Sequence, residues 1–283
     1  MIENKTFAII GLGLLGGSIA KCIKNNISHA RLIGITGNKD LLLDEQAKKI
    51  FDHICSDIKG AKNADIIIIA TPIRAIIANI AKLKKIVHQG TIITDVGSVK
   101  RNIMNAATIL PDDVCFVGGH PMAGSHLSGF KHSSAGLFCG VNWIVCESKN
   151  KEANETIIEM IEALEANPVI IDAETHDRFV AATSHLPHVI ASTLASYILS
   201  CGDEYKQFLA TGFLDTTRIA ASDPILWEEI INNNKDNIIE ALNDYQQEIS
   251  KWQKAIKEND SAQLTALLSR AKTSRESIGK KTR

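Results

Sequence analysis

Phe7–Ile10 is an apolar run short enough to be a buried strand, and a helix-compatible stretch follows it to about Lys24. The same alternation continues down the first half of the chain. Arg31–Ile35 reads as a second strand and Leu41–Ile50 as a helix. Asp65–Ala70 is nearly all isoleucine, a continuous β-branched run suited to a central parallel strand covered on both faces. The pattern then predicts a helix over Ile73–Leu83, a strand over Thr91–Asp95, a helix from about Lys100, and strands over Val114–Gly118 and Trp143–Cys146. An amphipathic helix over Glu152–Glu165 and a short strand over Val169–Ile171 complete the series. Strands alternating with helices at this pitch predict an α/β fold with a doubly wound sheet over residues 1–172. Beyond Asp172 the strand signals stop, and residues 173–283 read as an all-α domain. There Val180–Leu199 is one apolar helix or a broken pair. Ile238, Leu242, Tyr245, Ile249, Trp252 and Ile256 recur in steps of four and three, a heptad seam. Asp260-Ser-Ala-Gln263 opens a final helix in capping-box fashion. The seam fits an intramolecular bundle or, the favoured reading, a homodimer interface.

Composition narrows the function classes. An apolar content of 45% and a charged content of 22% are globular values, so neither a disordered chain nor a membrane protein is indicated. A net charge of −1 leaves no electrostatic footprint for nucleic acid or anionic lipid, and the basic stretch Lys280–Arg283 reads as a solvated end. The six cysteines form no C-x-x-C pair and read as reduced thiols. The chain passes directly into a strand with no secretory pattern, and no apolar run reaches the ~18 residues of a membrane span. A cytoplasmic location is expected.

Gly11, Gly13 and Gly16 stand in G-x-G-x-x-G spacing between the first strand and the first helix. In a dinucleotide site the first permits the tight turn, the second lets the backbone approach a pyrophosphate, and the third lets helix pack on strand. The free N–H groups and positive end of the new helix then hold the phosphates. Expected cofactor contacts are Gly11, Gly13, Leu14, Leu15, Gly16, Thr36, Thr71, Pro72 and Asp95. Thr36 occupies the end of the second strand, where a carboxylate would accept both ribose hydroxyls and repel a 2′-phosphate. With Lys39 near and no carboxylate before Asp40, the cofactor is NAD or NADP, with a lean toward tolerance of NADP.

Three other stretches carry chemistry. Gly118–Gly129 (Gly-Gly-His-Pro-Met-Ala-Gly-Ser-His-Leu-Ser-Gly) follows a predicted strand, and His120 reads as a general base on a shaped loop. Ser98, in Asp95-Val-Gly-Ser98, is placed to orient that imidazole, to bond substrate, or to N-cap the helix beginning near Val99. His176-Asp177 and Ser184-His185-Leu-Pro-His188 form a second histidine cluster; no zinc-like spacing supports a metal there, and none is expected. Arg218 in Gly212–Pro224, with Asp215 three residues earlier, is either half of an ion pair or a clamp for a substrate carboxylate.

Together GLGLLGGS (11–18), DVGSVK (95–100), GHPMAGSHLSG (119–129), SHLPH (184–188) and GFLDTTRIAASDP (212–224) resemble the prephenate/arogenate dehydrogenases of tyrosine biosynthesis, in the family's order and across most of the chain. The resemblance implies a Rossmann-like dinucleotide domain followed by a helical dimerisation domain. It implies oxidative decarboxylation of prephenate to 4-hydroxyphenylpyruvate and CO2, with hydride passing to NAD(P)+. His120 then takes the C4 hydroxyl proton, Ser98 assists it, Arg218 holds a substrate carboxylate, and His188 with His185 lines the substrate pocket. The substrate is prephenate or arogenate; His126 leans toward the prephenate users. The chain leaves no room for the regulatory domain or fused mutase of some relatives, so tyrosine inhibition is expected at or near the active site. A β-hydroxyacid dehydrogenase would need a catalytic lysine in the helical domain, where Lys206 lies in a polar segment. A nucleotide-sensing regulator would leave His120, Ser98 and Arg218 without a task.

Overall fold

Eight strands make one sheet in the order β3-β2-β1-β4-β5-β6-β7-β8. They are β1 (Thr6–Ile10), β2 (Arg31–Ile35), β3 (His53–Cys55), β4 (Ile66–Ile69), β5 (Ile92–Asp95), β6 (Cys115–Pro121), β7 (Asn142–Cys146) and β8 (Asn167–Ile170). The computed structural model describes residues 2–124 and 127–278. His126 and the 280–283 end therefore lie outside the described residues. All pairings are parallel except β6 with β7. The helices between strands are α1 (Leu14–Asn26), α2 (Glu45–Ile50), α3 (Ile73–Leu83), α4 (Arg101–Ala107) and α5 (Lys151–Ala163).

The isoleucine run of β4 shows why the sheet is covered on both sides. Ile66 and Ile68 enter one apolar cluster with Phe7, Ile19, Ile23 and Ile157, while Ile67 and Ile69 enter another with Ile76, Ile80, Ile93 and Ile103. Side chains alternate across a strand, so a strand buried on both faces needs an apolar residue at every position.

Two expectations need correction, and one open alternative is decided. Leu41–Ile50 is not one helix: a 3-10 turn spans Asp40–Leu42, and α2 starts afresh at Glu45 because the Asp44 carboxylate accepts from Ala47 N at 2.7 Å. Of the two readings of the apolar stretch from Val180, the broken one holds: α6 (Ala173–Val180) gives way to a π-turn over Ala181–His185 and then to α7 (Leu186–Cys201). Pro187, in the first turn of α7, has no N–H to give the preceding turn, and its ring needs the wider spacing. Finally, β6 runs on to Pro121, so His120 is a strand residue opposite Ile144 of β7 and not part of a loop.

The remaining helices are α8 (Thr211–Thr217), α9 (Pro224–Asn233), α10 (Lys235–Lys257) and α11 (Ser261–Ser277). By its internal contacts the chain divides into residues 1–235 and 236–283. In the second unit the Asp260 carboxylate caps α11 through Gln263 N at 2.9 Å, and Glu248 of α10 pairs with Arg270 of α11. Ile249 and Ile256 of the heptad seam remain exposed.

Candidate active site

The strand order reverses at β1, whose neighbours are β2 on one side and β4 on the other, which opens a crevice at the carboxyl ends of these strands. Gly11 turns the chain there with φ +98°, and a Cβ on it would lie 2.5 Å from the Ala70 carbonyl oxygen. Only glycine meets both demands. A Cβ on Gly16 would sit 2.0 Å from the Gly11 carbonyl oxygen, whereas one on Gly13 would meet nothing within 4 Å. Gly13 thus faces open space at the start of α1, as a residue that admits a ligand to the backbone must. A cavity of about 590 Å³ adjoins the turn, lined by Gly11, Ile35, Gly37, Asp57, Thr71 and Lys82 among others. Thr36 is buried and its hydroxyl accepts from Asn38 N at 3.1 Å, closing the turn after β2.

Helix capping distinguishes α1 from its neighbours. Asp44 caps α2 and Asn150 caps α5. Two carboxylates arrive from the helical region of the same unit: Glu229 of α9 accepts from Arg74 N of α3 at 3.1 Å, and Asp177 of α6 accepts from Lys100 N and Arg101 N of α4 at 2.7 and 2.9 Å. Arg74 also pairs with Glu228. Among the described residues, α1 alone of these five helices has neither a side-chain cap nor an acid in its first turn. Its N–H groups and positive end are free for an anion, while α3 and α4 are already neutralised.

His120 stands near the end of β6, at the same edge of the sheet. Its Nδ1 lies 2.8 Å from His176 Nε2, and His176 Nδ1 lies 2.7 Å from Asp177 Oδ1. His176 and Asp177 are buried. From the other side, the fully buried Lys100 pairs with Asp95 and donates to the Gly119 carbonyl at 2.6 Å. Gly119 N and Gly97 N donate to the two Asp95 oxygens at 3.0 and 2.8 Å. Gly119, the residue preceding His120, is therefore held at both its N–H and its carbonyl. Burial first, then the neighbouring His176, Lys100 and His185, holds His120 well below the usual histidine range, so the ring is neutral at pH 7.

Asn234 donates to the Asp177 carbonyl at 2.7 Å and lies 3.2 Å from His185 Nδ1. Burial lowers His185 to about 4, against an opposing pull from Asp177. His188 stacks on Trp227 with ring centroids 3.4 Å apart, and its buried Nδ1 has no partner among the described residues. Burial lowers His188 too.

The expected cofactor contacts thus gather at one edge: Gly11 to Gly16 at the β1 turn, Thr36 after β2, Thr71 and Pro72 after β4, and Asp95 at the end of β5. Asp95 is fully buried, its carboxylate engaged by Lys100 and two backbone N–H groups. Ser98 does not cap α4; Asp177 does, because α4 begins beyond the reach of Ser98, at Arg101. Nor does the Ser98 hydroxyl bond His120, whose Nδ1 faces His176. Arg218 opens a 3-10 turn after α8, is exposed, and has no ion pair with Asp215 or any other described carboxylate. The sequence reading missed Lys100 and Glu229, and left His176-Asp177 without a role at His120. A lysine five residues after a strand-end aspartate was a usable sign for Lys100; nothing local marks Glu229.

Comparison with known proteins agrees with this layout. Residues 19–170 match the family model described as prephenate dehydrogenase, nucleotide-binding domain, and residues 172–270 the one described as prephenate dehydrogenase, dimerization domain. The chain is 36% identical over 289 residues to the prephenate dehydrogenase of Bacillus subtilis (strain 168), covering 96% of this chain and 76% of that protein. A crystal structure of prephenate dehydrogenase from A. aeolicus, in complex with hydroxyphenyl propionate and NAD+, is similar with a TM-score of 0.91 at 28% identity, covering 97% of this chain and 98% of that one. Synechocystis arogenate dehydrogenase is similar with a TM-score of 0.85 at 25% identity, over 96% and 99% of the two chains. With a dinucleotide crevice, a buried histidine network at its edge and both family domains matched in order, the chain belongs to the prephenate dehydrogenase family.

Proposed function

We propose that the protein is a prephenate dehydrogenase of tyrosine biosynthesis, converting prephenate to 4-hydroxyphenylpyruvate and CO2. The observation that carries the chemistry is a neutral, buried-network histidine, His120, at the sheet edge that also presents the uncapped start of α1. His120 accepts the proton of the C4 hydroxyl as the ring loses hydride and carboxylate, and returns it to the phenolic oxygen of the product. A nicotinamide dinucleotide, when bound, supplies the two-electron acceptor. Gly11, Gly13, Leu14, Leu15 and Gly16 cradle its pyrophosphate, with Thr36, Thr71 and Pro72 lining the crevice beyond. Asp95 acts at one remove, through Lys100 and the Gly119 peptide. Arg218, free of any described carboxylate, takes a carboxylate of the dianionic substrate. His185 and His188 line the pocket with Trp227, and Ser98 reaches the reacting hydroxyl rather than the histidine ring.

With Thr36 in place of a carboxylate and Lys82 in the cavity wall, both NAD and NADP are accepted. The substrate domain begins near residue 173, where the second family match starts. The active form is a homodimer through the helical region. Helix α7 is rich in apolar residues, yet only His188 and Ala191 of it are buried within the chain, and Phe179, Tyr197, Leu199, Phe208 and Ile225 are exposed.

Purified protein mixed with prephenate, with NAD and NADP in parallel, tests the reading by nicotinamide reduction. Arogenate forms a second series, motivated by the likeness to the Synechocystis enzyme. Turnover of neither substrate with either cofactor overturns the proposal.

A further inference from the structure

We infer that His176 and Asp177 are positioning residues that fix the tautomer of His120, leaving its Nε2 as the only nitrogen able to accept a proton. The inference rests on His120 being the base, and it follows from counting protons along three contacts. Asp177 is fully buried and its two oxygens accept from Lys100 N and Arg101 N at the start of α4. Two N–H donors and the positive end of a helix hold it as an anion. An anionic carboxylate is acceptor-only, so the 2.7 Å contact with His176 requires the proton on His176 Nδ1. A neutral His176 then has a bare Nε2. That atom lies 2.8 Å from His120 Nδ1, and two bare nitrogens repel at such a distance, so His120 carries its proton on Nδ1. The lone pair of His120 is left on Nε2, which has no partner among the described residues.

The same contacts work during turnover. When Nε2 takes the substrate proton, the charge on the ring is offset through His176 by the Asp177 anion. This matters because the other charged or titratable neighbours, Lys100 and His185, oppose that charge. The arrangement performs the orienting task of a buried carboxylate behind a catalytic imidazole, with one additional ring interposed.

The tautomer is directly readable. The chain has nine histidines, so ¹⁵N-histidine NMR spectra of wild type and His120→Asn assign the His120 resonances by difference. The expected wild-type signature is a protonated Nδ1 and a bare Nε2. A protonated Nε2 would mean that His176 carries two protons, and would overturn the inference. Asp177→Asn removes the anion that holds the proton on His176 Nδ1 and that offsets the charge on His120 during turnover, and should lower kcat by ~10²–10⁴-fold with dinucleotide Kd unchanged. Because that variant also alters the α4 cap, a second pair leaves the cap intact. His176→Gln keeps an acceptor oxygen within reach of His120 Nδ1 and should retain kcat within about tenfold, whereas His176→Leu removes the acceptor and should fall by ~10²-fold or more. Equal losses in the two His176 variants, with the tautomer unchanged, would make the pair merely structural and refute the inference. If wild type turned over neither prephenate nor arogenate, the functional reading would fail while the NMR result still decided the tautomer.

Discussion

Replacing Lys100 by methionine removes a buried charge from the most constrained point of the site. The lysine is fully buried, pairs with a fully buried Asp95, and donates to the Gly119 carbonyl at 2.6 Å. Methionine fills much of the stem volume, so the perturbation is chiefly electrostatic. Asp95 keeps its bonds from Gly97 N and Gly119 N but loses its counter-charge, and the Gly119 carbonyl loses its donor. Breaking a buried pair by removing one partner costs about 3–5 kcal/mol. Against a total stability of about 5–15 kcal/mol, that is a large fraction. At about 2–4 °C per kcal/mol for a unit of this size, Tm should fall by about 6–20 °C. Differential scanning calorimetry at pH 7 measures the fall. Because the Gly119 peptide immediately precedes His120, kcat should fall at temperatures where the variant is still folded, with dinucleotide affinity kept. A Tm within 3 °C of wild type would refute the claim that the Lys100–Asp95 pair braces this strand end. Normal kcat in the folded variant would refute its link to His120.

His120→Asn should lower turnover by ~10²–10⁴-fold with dinucleotide binding intact by titration; near-wild-type turnover would remove His120 from the mechanism. Arg218→Ala should mainly raise KM for the carboxylate substrate, and an unchanged KM would make the arginine dispensable for binding. Acidification should destabilise the fold between about pH 6.5 and 4, since His185 titrates at about 4 when folded and near 6.5 when unfolded, so the unfolded chain binds more protons in that window. His185 alone contributes about 3 kcal/mol of that loss, and denaturant midpoints that hold steady from pH 7 to 4.5 would refute it. The acid limb of kcat/KM should likewise fall below pH 6.5, given the direction in which burial moves His120. Light scattering should give a dimer mass, and a clean monomer would leave the exposed apolar face of α7 unexplained.

Much of the fold was legible because its signals are local. The isoleucine run of β4 declares a strand buried on both faces, and G-x-G-x-x-G between strand and helix declares a phosphate turn, whatever the rest of the chain does. His120 stood out for similar reasons, although its place on a strand depended on pairing with β7, whose partner no local pattern names. What periodicity could not supply was who meets whom. His120 and His176 are 56 residues apart, Lys100 and Asp177 are 77 apart, and Arg74 and Glu229 are 155 apart. Each contact exists because packing returns the helical region of the first unit to the carboxyl edge of the sheet. A helix N-terminus needs an acceptor but does not specify its source. Sequence by itself therefore determined most of the sheet and its dinucleotide turn, and marked His120 as the candidate base. Tertiary structure alone decided which carboxylates cap α3 and α4 and which ring stands behind His120, because these hydrogen bonds are made between surfaces that chain folding brings together.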